Sequence, residues 1–340
     1  MAITGLAAVP LPGETTGTVR WYLLSGGAAS ARCWPAGGAQ EDVDSGPAYG
    51  CAPAAMGAAR LPGGNDVVVA RVRRRLRHED RNCLLRWDRA TGARLGDPVR
   101  FRAPHLLSGR RDPLAVIDGP DGPAAATAVE GGLRCWDLAT GEPAGATFGR
   151  RHRLGGELAA GRLPDGGQVL LSSGADGLIR RHDPVSGAEL GAPVRGCGRA
   201  VALAVTRLEG RAVVCVLSSR GYVHRRDLVT GEPAGPQFSV GWQPAGEDTW
   251  CLHGRMAVVR SAGGGTIATC TDTRTVRLWD LASGEPRGFL GHPRALAGLV
   301  AAEAPDGVPL LVTAARDGLV RRYDARTGRP YGDPVRPHGP

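Results

Sequence analysis

Residues Trp279 to Leu290 read WDLASGEPRGFL, an aromatic residue and an aspartate followed by a turn of the form x-x-[Ser/Thr]-Gly. Five other segments say nearly the same thing: Trp87-Asp88 before TGARLGDPV, Trp136-Asp137 before TGEPAGATF, His182-Asp183 before SGAELGAPV, Arg226-Asp227 before TGEPAGPQF, and Tyr323-Asp324 before TGRPYGDPV. A degraded copy is RCWP at Arg32 to Pro35, followed after a short insertion by SGPAYG. The seven anchors fall at 34, 87, 136, 182, 226, 279 and 323, spaced by 44 to 53 residues.

Outward from the last anchor, His292 to Val335 resolves into four short apolar runs. Ala297 to Ala302 is followed by Pro-Asp-Gly at 305, Val308 to Thr313 by Ala-Arg-Asp-Gly, and Leu319 to Tyr323 alternates apolar and polar residues before the Thr-Gly turn. Pro presets φ and Gly tolerates positive φ, so these are turns with a mechanism. Pro330 to Val335 completes a more polar outer strand. Every repeat has a first hairpin, at 12, 62, 120, 164, 208, 263 and 305. A period of this length with a Trp-Asp pair and four strands per unit is the signature of a β-propeller blade.

The expectation is therefore an all-β, seven-bladed β-propeller of four-stranded antiparallel blades, one domain over 1–340. Its blades divide near 1–51, 52–100, 101–148, 149–194, 195–240, 241–290 and 291–340. The first strand, Ile3 to Val9, reads as an inner strand and the last, Pro330 to Val335, as an outer one. The ring should then close without strand exchange between its terminal blades, leaving that seam as its weakest interface.

The chain carries a formal charge of +9, and all of its basic residues are Arg. Two readings stand side by side: a compositional bias toward Arg, Ala, Gly and Pro, or an acidic partner that Arg would bind bidentately. The start MAITGLAAVPLPG has neither a basic n-region nor a long apolar run, so it does not read as a secretory signal. No stretch approaches 18 apolar residues, which argues against a spanning helix and a membrane partner. Cys33, Cys135, Cys215 and Cys270 fall within expected strands as small hydrophobes, and no Cys-x-x-Cys occurs, so reduced thiols in a cytoplasmic protein are expected.

On these repeats the chain resembles the WD-repeat family of propellers over essentially its whole length. In that family a His before the first strand, a Ser or Thr on the second, an Asp in the next turn and the Trp form a buried hydrogen-bonded network. The resemblance places such a structural network on His105, Glu130, His152, Ser172, Asp176, His292, Thr313 and Asp317, with Ala126 in the hydroxyl position of the Glu130 blade. Four blades depart from it, carrying Ala28, Arg81, Arg220 and Thr273 at the acidic position.

The resemblance also assigns loops to the two faces of the disc. One face takes the loops entering the first strand and the turns between the second and third. It receives Arg73, Arg74, Arg75, Arg77, Arg81, Arg102, Arg110, Arg111, Arg150, Arg151, Arg153, Arg195, Arg199, Arg220, Arg274, Arg294 and Arg316. An insertion from Ser239 to Cys251 adds Trp242 and Trp250 there. The opposite face receives mainly acids, Glu142, Asp165, Glu189, Glu209, Glu232, Glu285 and Asp306 among them. The inner strands are built of Ala, Gly, Val and Leu, and no nucleophile, phosphate-loop or metal-ligand spacing is present, so no catalytic, cofactor or metal residue is assigned. The expected function is a non-catalytic, monomeric interaction platform with a basic face for an acidic protein. The alternative is nucleic acid bound through the same arginines; a propeller-type enzyme ranks third.

Overall fold

The computed structural model describes residues 3, 5–12, 19–26, 31–36, 53–76, 79–103, 113–119, 121–149, 154–241, 255–261, 264–270 and 273–337. All regular elements among them are strands, grouped as seven antiparallel blades. Blade 1 holds β1 (Gly5–Pro12), β2 (Val19–Gly26) and β3 (Ala31–Pro35); its expected outer strand lies outside the described residues. Blade 2 holds β4 (Pro53–Arg60), β5 (Asp66–Leu76), β6 (Glu79–Asp88) and β7 (Val99–Phe101), and blade 3 β8 (Leu114–Gly119), β9 (Gly122–Val129), β10 (Gly132–Asp137) and β11 (Pro143–Phe148). Blade 4 holds β12 (Leu154–Arg162), β13 (Gln168–Gly174) and β14 (Ile179–His182), and blade 5 β15 (Ala200–Leu208), β16 (Arg211–Ser218), β17 (Tyr222–Asp227) and β18 (Phe238–Ser239). Blade 6 holds β19 (Arg255–Ser261), β20 (Gly264–Cys270), β21 (Thr275–Asp280) and β22 (Pro286–Gly291), and blade 7 β23 (Leu296–Glu303), β24 (Pro309–Ala315) and β25 (Val320–Asp324). The outer strands of blades 4 and 7 are bridges, Ile179 to Val194 and His182 to Glu189, and Val320 to Val335 and Tyr323 to Pro330. Blade 7 thus takes its outer strand from its own C-terminal residues, and among the described residues no strand is exchanged across the seam.

The recurring turn explains its own residues. After the six anchors from Trp87 on, the aspartate accepts backbone N–H from the residues ahead of it, as Asp183 does from Val185 and Ser186 (2.9 and 2.7 Å) and Asp227 from Val229 and Thr230 (both 2.9 Å). The chain then reverses through a left-handed glycine, Gly231 at φ +80° and Gly284 at φ +81°, a conformation that costs a side chain but not Gly. Hydrogen bonds from the Ser186 and Val185 amides hold the Asp183 carboxyl below its ordinary value even though burial pushes it up.

Blades stack face to face, and small inner-strand residues let them approach. A Cβ on Gly57 of blade 2 would lie 2.6 Å from Val116 of blade 3, and one on Gly298 of blade 7 would collide with Leu6 of blade 1. Cys33, Cys135, Cys215 and Cys270 are buried, and burial pushes the Cys135 and Cys215 thiols up to about 12.

A second device, absent from the sequence reading, ties blade to blade. The residue before the anchor is Arg in four blades, and its buried guanidinium crosses to the next blade. There it donates to the carbonyl that follows the turn aspartate, or to the matching carbonyl in blade 1. Arg86 donates to Leu138 O (3.0 Å), Ala139 O (2.8 Å) and Thr140 O (3.0 Å). Arg181 donates to Leu228 O (2.9 Å), and Arg225 to Leu281 O (2.8 Å). Arg322 reaches Ala36 O (3.1 Å) across the seam. Where Arg is missing, Cys135 points its thiol at Pro184 O (3.8 Å) and Thr266 donates to Ala325 O (3.0 Å). The same carbonyl is therefore latched in six of the seven interfaces, the seam included.

Candidate interaction surface

Antiparallel order puts the start of the first strand and the turn between the second and third at one end of each blade. Backbone bonds join the two, Ser219 N to Arg199 O (2.8 Å) in blade 5 and Arg316 N to Ala295 O (2.8 Å) in blade 7. We call this the entry face. Blades 6 and 7 are continuous there, because Leu296 N donates to Thr273 O (2.7 Å) and His292 N to Arg274 O (2.9 Å). On it Arg195, Arg199, Arg220, Arg274, Arg294 and Arg316 are all exposed. Among the described residues, Arg195, Arg199, Arg220, Arg294 and Arg316 have no carboxylate partner.

The hairpin face is not simply acidic. It also carries arginines, but many are held by carboxylates: Arg60 and Arg89 by Asp66 (2.7 and 3.0 Å), Arg162 by Asp118 (2.6 Å), Arg211 by Glu209 (3.7 Å) and Arg326 by Asp324 (3.2 Å). Arg287 pairs with Asp280 in the same way. Both faces therefore hold ion-paired arginines, with Arg180 on Asp176 and Arg321 on Asp317 at the entry face, but Arg195, Arg199, Arg220, Arg294 and Arg316 stand outside any such pair among the described residues.

The arginine-rich segment of blade 2 lies on an extension of β5 and β6. The inner strand β4 stops pairing at Pro53 to Val72, while β5 and β6 continue through Arg73 to Asn82, Arg74 to Arg81, Arg75 to Asp80 and Leu76 to Glu79. A two-stranded ribbon thus runs past the inner strand at the entry end. The side chains of Arg73, Arg74, Arg75 and Arg81 lie outside what the structure describes, as do Arg77, Arg110, Arg111, Arg150, Arg151, Arg153, Trp242, Trp250, His105 and His152 altogether.

The expected His–Asp network needs correction where it can be seen. His292 is buried and stands edge-on to Tyr323 (5.8 Å between centroids), yet neither of its ring nitrogens has a hydrogen-bond partner. Asp317 instead pairs with Arg321 (2.7 Å) and accepts Leu319 N (3.0 Å), while the Thr313 hydroxyl donates to Arg321 O (3.5 Å). Asp176 likewise pairs with Arg180 (2.7 Å), and Glu130 lies on the surface 4.0 Å from Arg102. An arginine four residues on is a permanently charged donor, and it outcompetes a neutral imidazole for the carboxylate. Burial, reinforced by Arg321, pushes His292 down to about 4. What survives is the link from the second-strand hydroxyl to the anchor: Ser172 to His182 Nε2 (3.0 Å) and, unforeseen from the sequence, Trp279 Nε1 to Thr269 (2.9 Å). Trp136, with Ala126 in the hydroxyl position, leaves its buried Nε1 unpaired.

A ring of seven antiparallel blades is a seven-bladed β-propeller. No protein family and no curated protein matches the chain. Among solved structures it is similar to the computationally designed Ika8 protein, at 17% identity and a TM-score of 0.53, with 95% of this chain and 96% of that chain covered. It is also similar to BBS1N, solved in complex with ARL6DN, at 16% identity and a TM-score of 0.54, with 76% of this chain and 73% of that chain covered. At these identities the likeness is one of fold. No helix among the described residues is long and apolar enough to cross a membrane, and no group of His, Cys, Asp and Glu there could hold a metal ion.

Proposed function

We propose that the protein is a non-catalytic interaction platform of the WD-repeat type, whose entry face takes an acidic protein partner. The observation that carries this reading is the set of exposed entry-face arginines, Arg195, Arg199, Arg220, Arg294 and Arg316, that pair with no carboxylate among the described residues. An exposed charge left without an internal partner keeps its attraction for a complementary surface. The rigid ring supports such a role, since a platform must hold its loops still while a partner docks. BBS1N, of similar fold, was solved bound to another protein, ARL6DN.

Nucleic acid is the competing occupant of the same face. The two separate on salt, because a polyphosphate contact through several arginines loses affinity steeply between about 50 and 200 mM. The test is capture of partners on the immobilised protein at rising salt, alongside a variant with Arg220, Arg294 and Arg316 changed to Glu. Retention of a protein partner by the wild type, and its loss from the variant, is the expected result. Capture that survives the charge reversal unchanged would refute the basic-face reading.

A further inference from the structure

Within the entry face, blade 5 differs from blades 4 and 7 at three linked positions. Six residues before the anchor, blades 4 and 7 carry Asp176 and Asp317, and blade 5 carries Arg220. Two before the anchor they carry Arg180 and Arg321, each tied to its aspartate, and blade 5 carries the buried His224. The anchor itself is His182 or Tyr323 in those blades and Arg226 in blade 5. An internal Asp–Arg pair is thus replaced by Arg and His, and an aromatic anchor by a second arginine. Blade 5 gains positive charge and loses the carboxylate that neutralises the equivalent corner elsewhere.

The local geometry gathers these charges. The Arg226 guanidinium lies under the entry loop Arg195 to Arg199, where a Cβ on Gly196 would sit 2.9 Å from its terminal nitrogen, and it meets the Cys197 side chain. The loop turns through Gly196 and Gly198, at φ +76° and +67°, so it presents backbone rather than side chains between its two arginines. Arg199 O holds Ser219 N at 2.8 Å, which places Arg220 next to that loop. Tyr222, 37% exposed, lies two residues further on. The blade 4 turn abuts the loop through Gly177, 3.3 Å from Gly198 by the same measure, but its Asp176 is already engaged by Arg180. Neither Arg195, Arg199, Arg220 nor Arg226 is in an ion pair among the described residues.

We infer that the entry-face tip of blade 5 is a carboxylate-binding site, at which an acidic segment of the partner is anchored by Arg195, Arg199 and Arg220 over the Arg226 guanidinium. This rests on the reading of the entry face as a surface for an acidic protein, and it localises that surface to one blade. Guanidinium forks bind planar carboxylates through paired charge-assisted bonds. The loop glycines leave room for a peptide backbone to lie close.

The test is fluorescence anisotropy with a labelled glutamate-rich decapeptide, its glutamine counterpart and a phosphoserine-rich peptide at low salt. Two double variants are compared, Arg199→Ser/Arg220→Ser in blade 5 and Arg294→Ser/Arg316→Ser in blade 7. All four side chains are exposed, and thermal melts confirm that each variant is folded. The glutamate peptide should bind and the glutamine peptide should not. The blade 5 double variant should weaken binding by about tenfold or more, as loss of charge-assisted bonds implies, and the blade 7 variant by much less. Equal weakening by both variants would overturn the blade 5 site and leave the basic-face reading standing. A phosphoserine peptide preferred over the glutamate one would overturn the carboxylate assignment. No binding of the glutamate peptide to the wild type would remove both.

Discussion

Replacing Arg86 by Met tests whether the inter-blade latch carries stability. Arg86 is 4% exposed and donates three bonds of 2.8 to 3.0 Å to the turn of blade 3. A bond from a charged donor contributes about 1.5–3 kcal/mol, and a buried acceptor left bare costs about 1–3 kcal/mol. Ala139 and Thr140 are exposed and recover water, so only Leu138 O stays dry. Against this, a buried guanidinium without a carboxylate is costly to desolvate, and burial holds the Arg86 pKa below its ordinary value. Met fills the space of the stem and removes that cost. The balance is a loss of about 2–4 kcal/mol. At about 2.1 cal/mol/K per residue, cooperative unfolding of a chain this long converts 3 kcal/mol into a fall in Tm of roughly 4 °C. Gly141→Ala should cost at least as much, because its Cβ would lie 2.5 Å from the Arg86 guanidinium at φ +82°. The double variant should be less destabilised than the sum, since the collision disappears with the arginine. Thermal melts with hydrogen exchange over residues 137–141 are the assay. An Arg86→Met protein that melts within about 1 °C of wild type, with unchanged exchange, would refute the latch.

The buried Nε1 of Trp136 lacks the hydroxyl that Trp279 finds on Thr269; Ala126→Ser should supply it and raise stability by about 0.5–1.5 kcal/mol, read as a higher denaturant midpoint at constant slope, and a lower midpoint counts against the shared-position argument. His292 stays neutral in the folded state down to about 4, so the unfolded chain takes up its proton first as pH falls below about 6.5, and stability is lost between those two values. His292→Phe should flatten that part of the stability curve between pH 7 and pH 4.5. An identical slope in variant and wild type would contradict the unpaired, neutral histidine.

The turns were legible because their chemistry is local. Asp227 must accept amides two and three residues on, and Gly231 must adopt a left-handed φ, so the motif D-x-x-[ST]-G records its own geometry. The latch was not legible, since its acceptors are backbone carbonyls and carry no sequence identity. Its trace was nonetheless present in the second glycine of each turn. Gly96, Gly191, Gly235 and Gly332 sit under the arginine of their own blade, where a Cβ would be 3.0 to 3.2 Å from the guanidinium. In blade 6, where Leu278 replaces that arginine, nothing lies within 4 Å of Gly288. The His–Asp network failed for a related reason. A family pattern names which residues could pair, but Arg321, four residues from Asp317, is a stronger donor that the pattern does not contain. At the candidate surface, the sequence placed Arg220, Arg294 and Arg316 on one face but could not show that they stand outside ion pairs while Asp176 and Asp317 of the same face are taken up by Arg180 and Arg321.

The same physics bears on the seam. Closing a ring of this length without a shared strand costs about 5 kcal/mol on the loop-closure scaling, which some 200 Å² of apolar burial would offset at about 25 cal/mol per Å². The seam supplies that kind of surface. Leu23 and Trp34 of blade 1 cluster with Leu310, Val312 and Val320 of blade 7, all essentially inaccessible to solvent, and Tyr331 packs against them. Arg322 adds the same latch that joins the interior blades, and Gly298 receives Leu6 as Gly57 receives Val116. The closure entropy is offset by an interface of the ordinary kind, so lack of strand exchange does not by itself single the seam out as weak. The C-terminal residues belong to this arrangement, because Tyr331 N donates to Arg322 O (2.8 Å) and Asp333 O accepts from the same guanidinium (3.4 Å). The outer strand of blade 7 thereby orients the side chain that reaches Ala36, and the chain's last strand holds the ring shut through an arginine rather than through a shared sheet.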